Sequence, residues 1–210
     1  MHSGKTTRPY SGKEEVVHSV IHAVGILVGI STLLFFFRNH DPDSIAFTAR
    51  VTYCCCFTVT FFISTLFHSA RNPRWKQAFK ILDHMSIYLL IGGTYTAFIL
   101  LYRHDANGFN ILSLVWAGVF IGMLFKVVVA EPRQILSVCF YVFLGLIFLF
   151  DAKDFFAGTP LPVRQLMIGG VILYATGVIF YLWRRIRYHH VIWHLFTVAA
   201  SLCHLTAIFL

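Results

Sequence analysis

The last apolar run of this chain opens with Tyr188-His189-His190-Val191-Ile192-Trp193-His194 and continues to Leu210. It follows directly on the basic segment Arg184-Arg185-Ile186-Arg187. His190 and His194 are four residues apart, so on a helix their imidazoles lie on one face, one turn apart. Two imidazoles at this spacing, at the mouth of a membrane helix, can hold a divalent metal ion. We therefore expect the rest of the chain to bring further groups to them.

Composition places the whole chain in a membrane. Its 210 residues are 58% hydrophobic and 12% charged, with a mean hydropathy of +0.72, whereas soluble domains carry about 25% charged residues. Apolar runs recur along the chain, each close to the ~20 residues that cross a hydrocarbon core. We predict an all-α integral membrane protein, a single seven-transmembrane-helix bundle over residues 1–210. The predicted helices are Val16–Phe37, Ala46–Phe67, Ile81–Tyr102, Ile111–Ala130, Ile135–Phe150, Leu166–Trp183 and Val191–Leu210.

A net charge of +8 could indicate binding to nucleic acid or to a membrane surface, and the distribution of the basic residues favours the membrane surface. On the side of the N-terminus lie Lys5, Arg8, Lys13, Arg71, Arg74, Lys76, Lys80, Lys126, Arg133, Arg184, Arg185 and Arg187. On the other side lie only Arg38, Arg50, Arg103, Lys153 and Arg164. Because cytoplasmic segments carry the excess of Lys and Arg, we predict a cytoplasmic N-terminus and an outside C-terminus. We expect no nucleic-acid partner, and the sequence indicates no obligate protein partner.

Polar groups open the first predicted helix, in the run Glu14-Glu15-Val16-Val17-His18-Ser19-Val20-Ile21-His22. Acidic residues in a first turn suit the helix dipole, so capping explains Glu14 and Glu15 as well as a functional role does. His18 and His22 repeat the four-residue spacing. Ionisable groups within a membrane helix usually face the bundle interior, so we expect both imidazoles to point inward.

Helices two and three carry a hydroxyl, an imidazole and a carboxylate near the predicted inner surface. Ser64 and His68 are four residues apart and share a helix face. Taken alone, Ser64 would bond to its own helix backbone, and His68 would be an interfacial, hydrogen-bonded histidine. Asp83 stands near the predicted start of helix three, where capping is the simpler explanation. Against capping, it lies between apolar residues and leads into an apolar span.

These groups are predicted to converge, because helix two ends and helices three and seven begin on the cytoplasmic side. At ~1.5 Å of rise per residue, five side chains then share one thin layer. The layer contains Ser64, His68, Asp83, His190 and His194. Helix one adds Glu15, His18 and His22 at a similar level. His204 lies two to three turns deeper and is left out of the predicted site.

The chemistry that this layer predicts is that of a catalytic zinc site. Three histidines would bind Zn²⁺ and leave a fourth position for water, whose pKa zinc lowers to roughly 7. Asp83 would orient that water and accept its proton. Ser64 would hydrogen-bond the water or a substrate oxyanion.

The spacing Ser64-x3-His68, then Asp83, then His190-x3-His194, on seven helices, resembles the hemolysin III family. That family is related to the progestin and adiponectin receptors and, more distantly, to alkaline ceramidases. The run Asp83-His84-Met85-Ser86-Ile87-Tyr88 and the run Ile192-Trp193-His194-Leu195-Phe196 are similar to its bacterial branch. The resemblance implies that His68, His190 and His194 are zinc ligands, with Asp83 and Ser64 beside the activated water. Glu15, His18 and His22 would then surround the ligands, and His18 stands where the family usually has Asn.

Several functions stay open at this point. The first is a zinc-dependent membrane hydrolase acting on a lipid-like amide or ester at the cytoplasmic side of a bacterial inner membrane. The second is a non-catalytic, zinc-stabilised regulator or sensor of membrane homeostasis, and the third is a membrane-lytic, hemolysin-like protein. In each case the expected substrate or ligand is a membrane lipid. A proton-coupled transporter is disfavoured because the histidines gather at one end of the bundle, and a G-protein-coupled receptor because the predicted N-terminus is inside.

Overall fold

The computed structural model describes residues 10–39, 44–128 and 134–210, and most of these residues are helical. The long helices are α1 (Gly12–Asn39), α2 (Ile45–Ser69), α3 (Pro73–Tyr102), α4 (Ala106–Val128), α5 (Gln134–Gly145), α7 (Leu161–Leu182) and α8 (His189–Phe209). A 3₁₀ segment (Ile147–Asp151) and the short α6 (Ala152–Ala157) continue the fifth span. Within these described ranges, seven spans are long and apolar enough to cross a membrane. The predicted all-α seven-transmembrane bundle is confirmed, and the inside position of the N-terminus stays a prediction.

Helix α3 begins at Pro73, not at Ile81, so most of the expected inner loop is helix. Asn72 caps it by accepting a hydrogen bond from the backbone N–H of Arg74, and proline occupies the first turn. This is the usual sequence chemistry of a helix start. Asp83 consequently lies inside a helix rather than at its N-terminus, and it does not cap α3.

Other boundaries also differ from those predicted. Helices α4, α7 and α8 begin earlier, at Ala106, Leu161 and His189. The predicted end of the fourth helix at Ala130 lies outside the described residues, as do the basic residues Lys5, Arg8 and Arg133. Hydropathy underestimates helix length here because the extra turns are polar and extend beyond the apolar run.

The fifth span is broken where α5 ends at Gly145, and the chain continues through the 3₁₀ segment into α6. The phenol of Tyr95 bridges the break. Its O–H donates to the carbonyl of Leu144 at 3.0 Å and accepts from the backbone N–H of Phe148 at 2.9 Å. Irregular backbone at membrane depth requires such partners inside the protein, so the break is stabilised by α3.

Helix α2 lies at the centre of the bundle, packed against α1, α3 and α8. Its buried face carries Tyr53, Phe57 and Phe61, which belong to the main apolar core. At Gly93 of α3 the two helices approach closely, since a Cβ there would lie 2.7 Å from the Cβ of Cys56. This packing fixes the end of α2 beside the starts of α1, α3 and α8, where the predicted site residues lie.

Candidate metal centre

The first turn of α1 separates the roles of its two glutamates. Glu14 forms a capping box with Ser11: its Oε2 accepts from the Ser11 N–H at 2.7 Å, and its own N–H donates to Ser11 Oγ at 3.3 Å. Glu15 faces inward instead and contacts His68 and Lys76. The sequence alone did not distinguish capping from a functional role for these two residues. In the structure, Glu14 caps α1 and Glu15 belongs to the cluster.

Five buried histidines meet at this end of the bundle. They come from α1, α2 and α8, and they are His18, His22, His68, His190 and His194. One ring nitrogen from each of His18, His68 and His194 lies within 4.8 Å of the other two. This set differs from the expected ligands His68, His190 and His194 by the inclusion of His18 in place of His190. The role of each of these residues as a ligand stays a prediction.

Hydrogen bonds hold two of these imidazoles by one nitrogen and leave the other nitrogen bare. His68 Nδ1 lies 2.6 Å from Glu15 Oε2, and Lys76 Nζ donates to Glu15 Oε1 at 2.7 Å. His194 Nδ1 lies 2.9 Å from His22 Nε2. The Nε2 atoms of His68 and His194 are buried without a hydrogen-bond partner among the described residues. When Nδ1 carries the proton, each Nε2 keeps its lone pair for a metal ion.

His18 is the most isolated member of the cluster. It is 0% exposed, and neither ring nitrogen has a hydrogen-bond partner in the described ranges. Its Nδ1 approaches Glu15 Oε2 only to 3.8 Å. A buried polar group without a partner destabilises a fold, so the environment of His18 is explained most simply by a ligand between the rings.

His190 lies beside the three-nitrogen group. Its ring centre is 4.4 Å from that of His194 and 5.1 Å from that of His18, and its Nδ1 is buried without a partner in the part of the chain described. Its outer face stacks on Tyr10 at 4.6 Å between ring centres. Tyr10 also contacts the His18 ring edge-on. This tyrosine therefore covers the cluster at the end where α1 begins.

Ser64 and Asp83 form a buried pair one helical turn from His68. Ser64 Oγ donates to Asp83 Oδ1, so Ser64 does not bond to its own helix, as it would if it were a lone serine. Ser86 Oγ donates to the backbone carbonyl of Asp83 at 2.7 Å. Asp83 is therefore buried where α3 packs against α2, and its partner Ser64 lies on the same face of α2 as His68.

Two members of the site were missed by reasoning from sequence. Lys76 was counted only among the basic residues on the side of the N-terminus, and Tyr10, which precedes the first predicted helix, was assigned no role. The sequence signal that could have placed Lys76 is Asn72-Pro73, a typical helix start, which puts Lys76 in the first turns of α3 rather than in a loop. His204, left out on depth, lies outside the cluster, with Nε2 3.2 Å from the Met167 carbonyl.

The residues present fit a metal ion. Unpartnered nitrogens of His18, His68 and His194 converge, and two of the rings are oriented from behind by Glu15 and His22. Metal-ligating histidines usually have such outer partners, which fix the tautomer. An all-imidazole set suits zinc, copper, iron or nickel better than magnesium or calcium.

Comparison with known proteins gives consistent matches along the chain. The profile of the family described as "Haemolysin-III related" matches residues 10–205. The Hemolysin-3 homolog of Bacillus subtilis (strain 168) is 34% identical over 194 residues, covering 90% of this chain and 90% of the relative. Hemolysin-3 of Bacillus cereus is 32% identical over 192 residues, covering 90% and 87%. The human monocyte to macrophage differentiation factor is 26% identical over 209 residues, covering 93% and 83%.

Proposed function

This chain belongs to the haemolysin-III-related family, and we propose that it is a zinc-dependent membrane hydrolase. It would act on a lipid-like amide or ester at the cytoplasmic side of a bacterial inner membrane. It is a multi-pass membrane protein with bacterial relatives. The observation that carries the proposal is the convergence of buried histidine ring nitrogens, with a buried carboxylate–hydroxyl pair whose serine lies one helical turn from His68 on α2.

The histidine cluster that would hold the zinc ion is built from helices distant in sequence. Helix α1 supplies His18, α2 supplies His68, and α8 supplies His194 with His190 alongside. Glu15 and His22 hold the rings of His68 and His194 in place. Outer partners of this kind fix the tautomer and orientation of ligating rings, which supports a resident cofactor.

A bound zinc ion would act as a Lewis acid and lower the pKa of the water beside it to about 7. Asp83 would accept the proton of that water at Oδ2, because Oδ1 already receives the hydrogen bond of Ser64. The water oxygen would attack the substrate carbonyl carbon while Ser64 Oγ keeps the carboxylate oriented. Asp83 would then return the proton to the departing amine or alcohol as the C–N or C–O bond breaks.

The position of the site favours a lipid substrate. An open groove of about 340 Å³ lies where α2 turns into α3, lined by Ala70, Arg71, Asn72, Trp75 and Phe79. It starts two residues after His68 and combines aromatic surface with one cationic side chain. Trp75 is 62% exposed, as is usual for an aromatic residue at a membrane interface. Such a groove suits the interfacial part of a lipid.

The test is lipid turnover by purified, zinc-loaded protein in liposomes, followed by mass spectrometry over a panel of amide- and ester-linked lipids. Asp83→Asn should keep its zinc and lose turnover by about 10²–10⁴-fold, the usual contribution of a general base. The matched control is Asp154→Asn, which changes an exposed carboxylate and should leave turnover unchanged. Undiminished turnover in Asp83→Asn would remove Asp83 from the mechanism.

A second function is favoured by one feature, the distribution of the metal-facing histidines over α1, α2 and α8. A zinc ion there would join helices that are far apart in the chain, so the protein would be a zinc-stabilised regulator of the membrane rather than an enzyme. Substitution of His68 by alanine should then unfold the protein. Asp83→Asn would preserve biological function in this case, whereas the hydrolase requires its loss.

A further inference from the structure

The four imidazoles of His18, His68, His190 and His194 surround one point. The ring centre of His18 lies 4.3 Å from that of His68, 5.1 Å from that of His190 and 4.9 Å from that of His194. The ring centre of His68 lies 5.7 Å from that of His190 and 5.0 Å from that of His194, and the centres of His190 and His194 are 4.4 Å apart. All six pairs are therefore in mutual contact, as the corners of a tetrahedron are.

These distances agree with four imidazoles around one zinc ion. With Zn–N bonds of about 2.0–2.1 Å, ring centres lie about 3.2 Å from the metal, and tetrahedral geometry separates them by about 5 Å. The observed range of 4.3–5.7 Å brackets that value. The ring nitrogens of His18, His68 and His194 already form one group within 4.8 Å, and the His190 side chain would rotate to complete the set.

The fifth histidine of the cluster does not belong to this set. Among the four rings of His18, His68, His190 and His194, the described ring contacts of His22 are with His68 and His194. Its Nε2 already bonds to His194 Nδ1, so it orients a ligand. His18 has no such second task, because both of its nitrogens lack a partner in the described ranges.

We propose that His18 is a fourth metal ligand, so that the resting chain closes its zinc ion inside four imidazoles. The inference rests on the proposed metal site and adds a regulatory property to it. Closed four-ligand sets are typical of structural zinc, whereas a catalytic site keeps one position open. Hydrolysis by this chain thus requires one imidazole to leave the metal first.

His18 is the imidazole best placed to leave. His68 is held by Glu15 and His194 by His22, and His190 is stacked against Tyr10 at 4.6 Å. Glu15 Oε2 lies 3.8 Å from His18 Nδ1, and a small rotation would let that carboxylate accept its N–H. The released ring therefore has a place to go, and the metal gains an open position.

The experiment counts ligated imidazoles rather than activity. Cobalt(II) replaces zinc in the full-length protein in detergent, with histidine ¹⁵N-labelled, and hyperfine-shifted imidazole signals are counted by NMR. Metal stoichiometry is measured on the same samples. The variants are His18→Asn and, as a matched buried histidine outside the cluster, His204→Asn.

The wild type should bind one metal ion and show four shifted imidazoles, falling to three in His18→Asn and remaining four in His204→Asn. Three imidazoles in the wild type would overturn the role of His18 even if His18→Asn failed to fold, and would leave the proposed zinc site intact. Four imidazoles persisting in His18→Asn would overturn it too, and would assign the fourth ligand elsewhere. A wild type that binds no metal would refute the proposed function itself.

Discussion

Replacement of Glu15 by alanine should weaken metal binding although Glu15 is not itself expected to touch the metal. Its Oε2 accepts the hydrogen bond of His68 Nδ1 at 2.6 Å, and its Oε1 accepts that of Lys76 Nζ at 2.7 Å. Without this acceptor, the His68 ring can rotate and move its proton to Nε2, the atom that would face the metal. The side chain of Glu15 is only 21% exposed, so water replaces it poorly.

The size of the effect follows from these contacts. A hydrogen bond to a charged group contributes about 1.5–3 kcal/mol, and tenfold in affinity corresponds to about 1.4 kcal/mol. We therefore expect a 10–100-fold loss of metal affinity, which is about the usual effect of removing a carboxylate behind a ligating histidine. Glu15→Gln should lose less, since its amide oxygen can still accept from His68 while its NH₂ group opposes Lys76.

The assay is a competition titration of zinc between the detergent-solubilised protein and a chelator of known affinity. Glu14→Ala is the matched control, because Glu14 lies next in sequence and only caps α1 with Ser11. It should lower helix stability slightly and leave the zinc affinity unchanged. If Glu15→Ala binds zinc within twofold of the wild type, the carboxylate does not position His68 and the reasoning is refuted.

Two further predictions concern stability. Removal of zinc by a chelator should lower the melting temperature, because a ligand at 100 times its Kd stabilises the folded state by about 2.7 kcal/mol; an unchanged melting temperature would contradict a metal that joins α1, α2 and α8. Gly93→Ala should destabilise by about 1–3 kcal/mol through overpacking, since its Cβ would lie 2.7 Å from Cys56 Cβ. Gly169→Ala, with no atom within 4 Å of its Cβ, should show no loss in the same thermal unfolding measurement.

Much of the fold could be predicted from sequence because the bilayer imposes one simple requirement, a long apolar helix. That requirement identifies the spans and places His68, His190 and His194 at one end. It says nothing about a polar helical turn beyond the apolar run. The first turns of α3 were therefore assigned to a loop, and with them Lys76.

The histidines of the cluster were predictable as neighbours, whereas Lys76, Tyr10 and the individual contacts were not. Four-residue spacing shows that His18 and His22 share a face, but it does not show which of them joins the three-nitrogen group and which bonds to His194. The same holds for Glu14 and Glu15, which are adjacent in sequence and point to opposite environments. Rotation of a helix by a fraction of a turn exchanges such roles, and only packing against α2 and α8 determines that rotation.

The buried carboxylate distinguishes the two proposed functions. Asp83 is buried, and its Oδ1 receives a hydrogen bond from the neutral hydroxyl of Ser64. A buried carboxylate inside a membrane protein is costly, and a purely structural zinc site would gain nothing from it. Catalytic groups are typically retained although they lower the stability of the folded protein.

Asp83→Asn should therefore stabilise the zinc-free protein. Thermal unfolding of zinc-free samples at pH 8 should give a higher melting temperature for Asp83→Asn than for the wild type, because the amide removes a buried charge and still accepts from Ser64. Asp154→Asn, an exposed change, should leave the melting temperature unchanged. A melting temperature lowered by Asp83→Asn would mean that the carboxylate stabilises the fold, and Asp83 would then belong to a structural centre rather than a catalytic one.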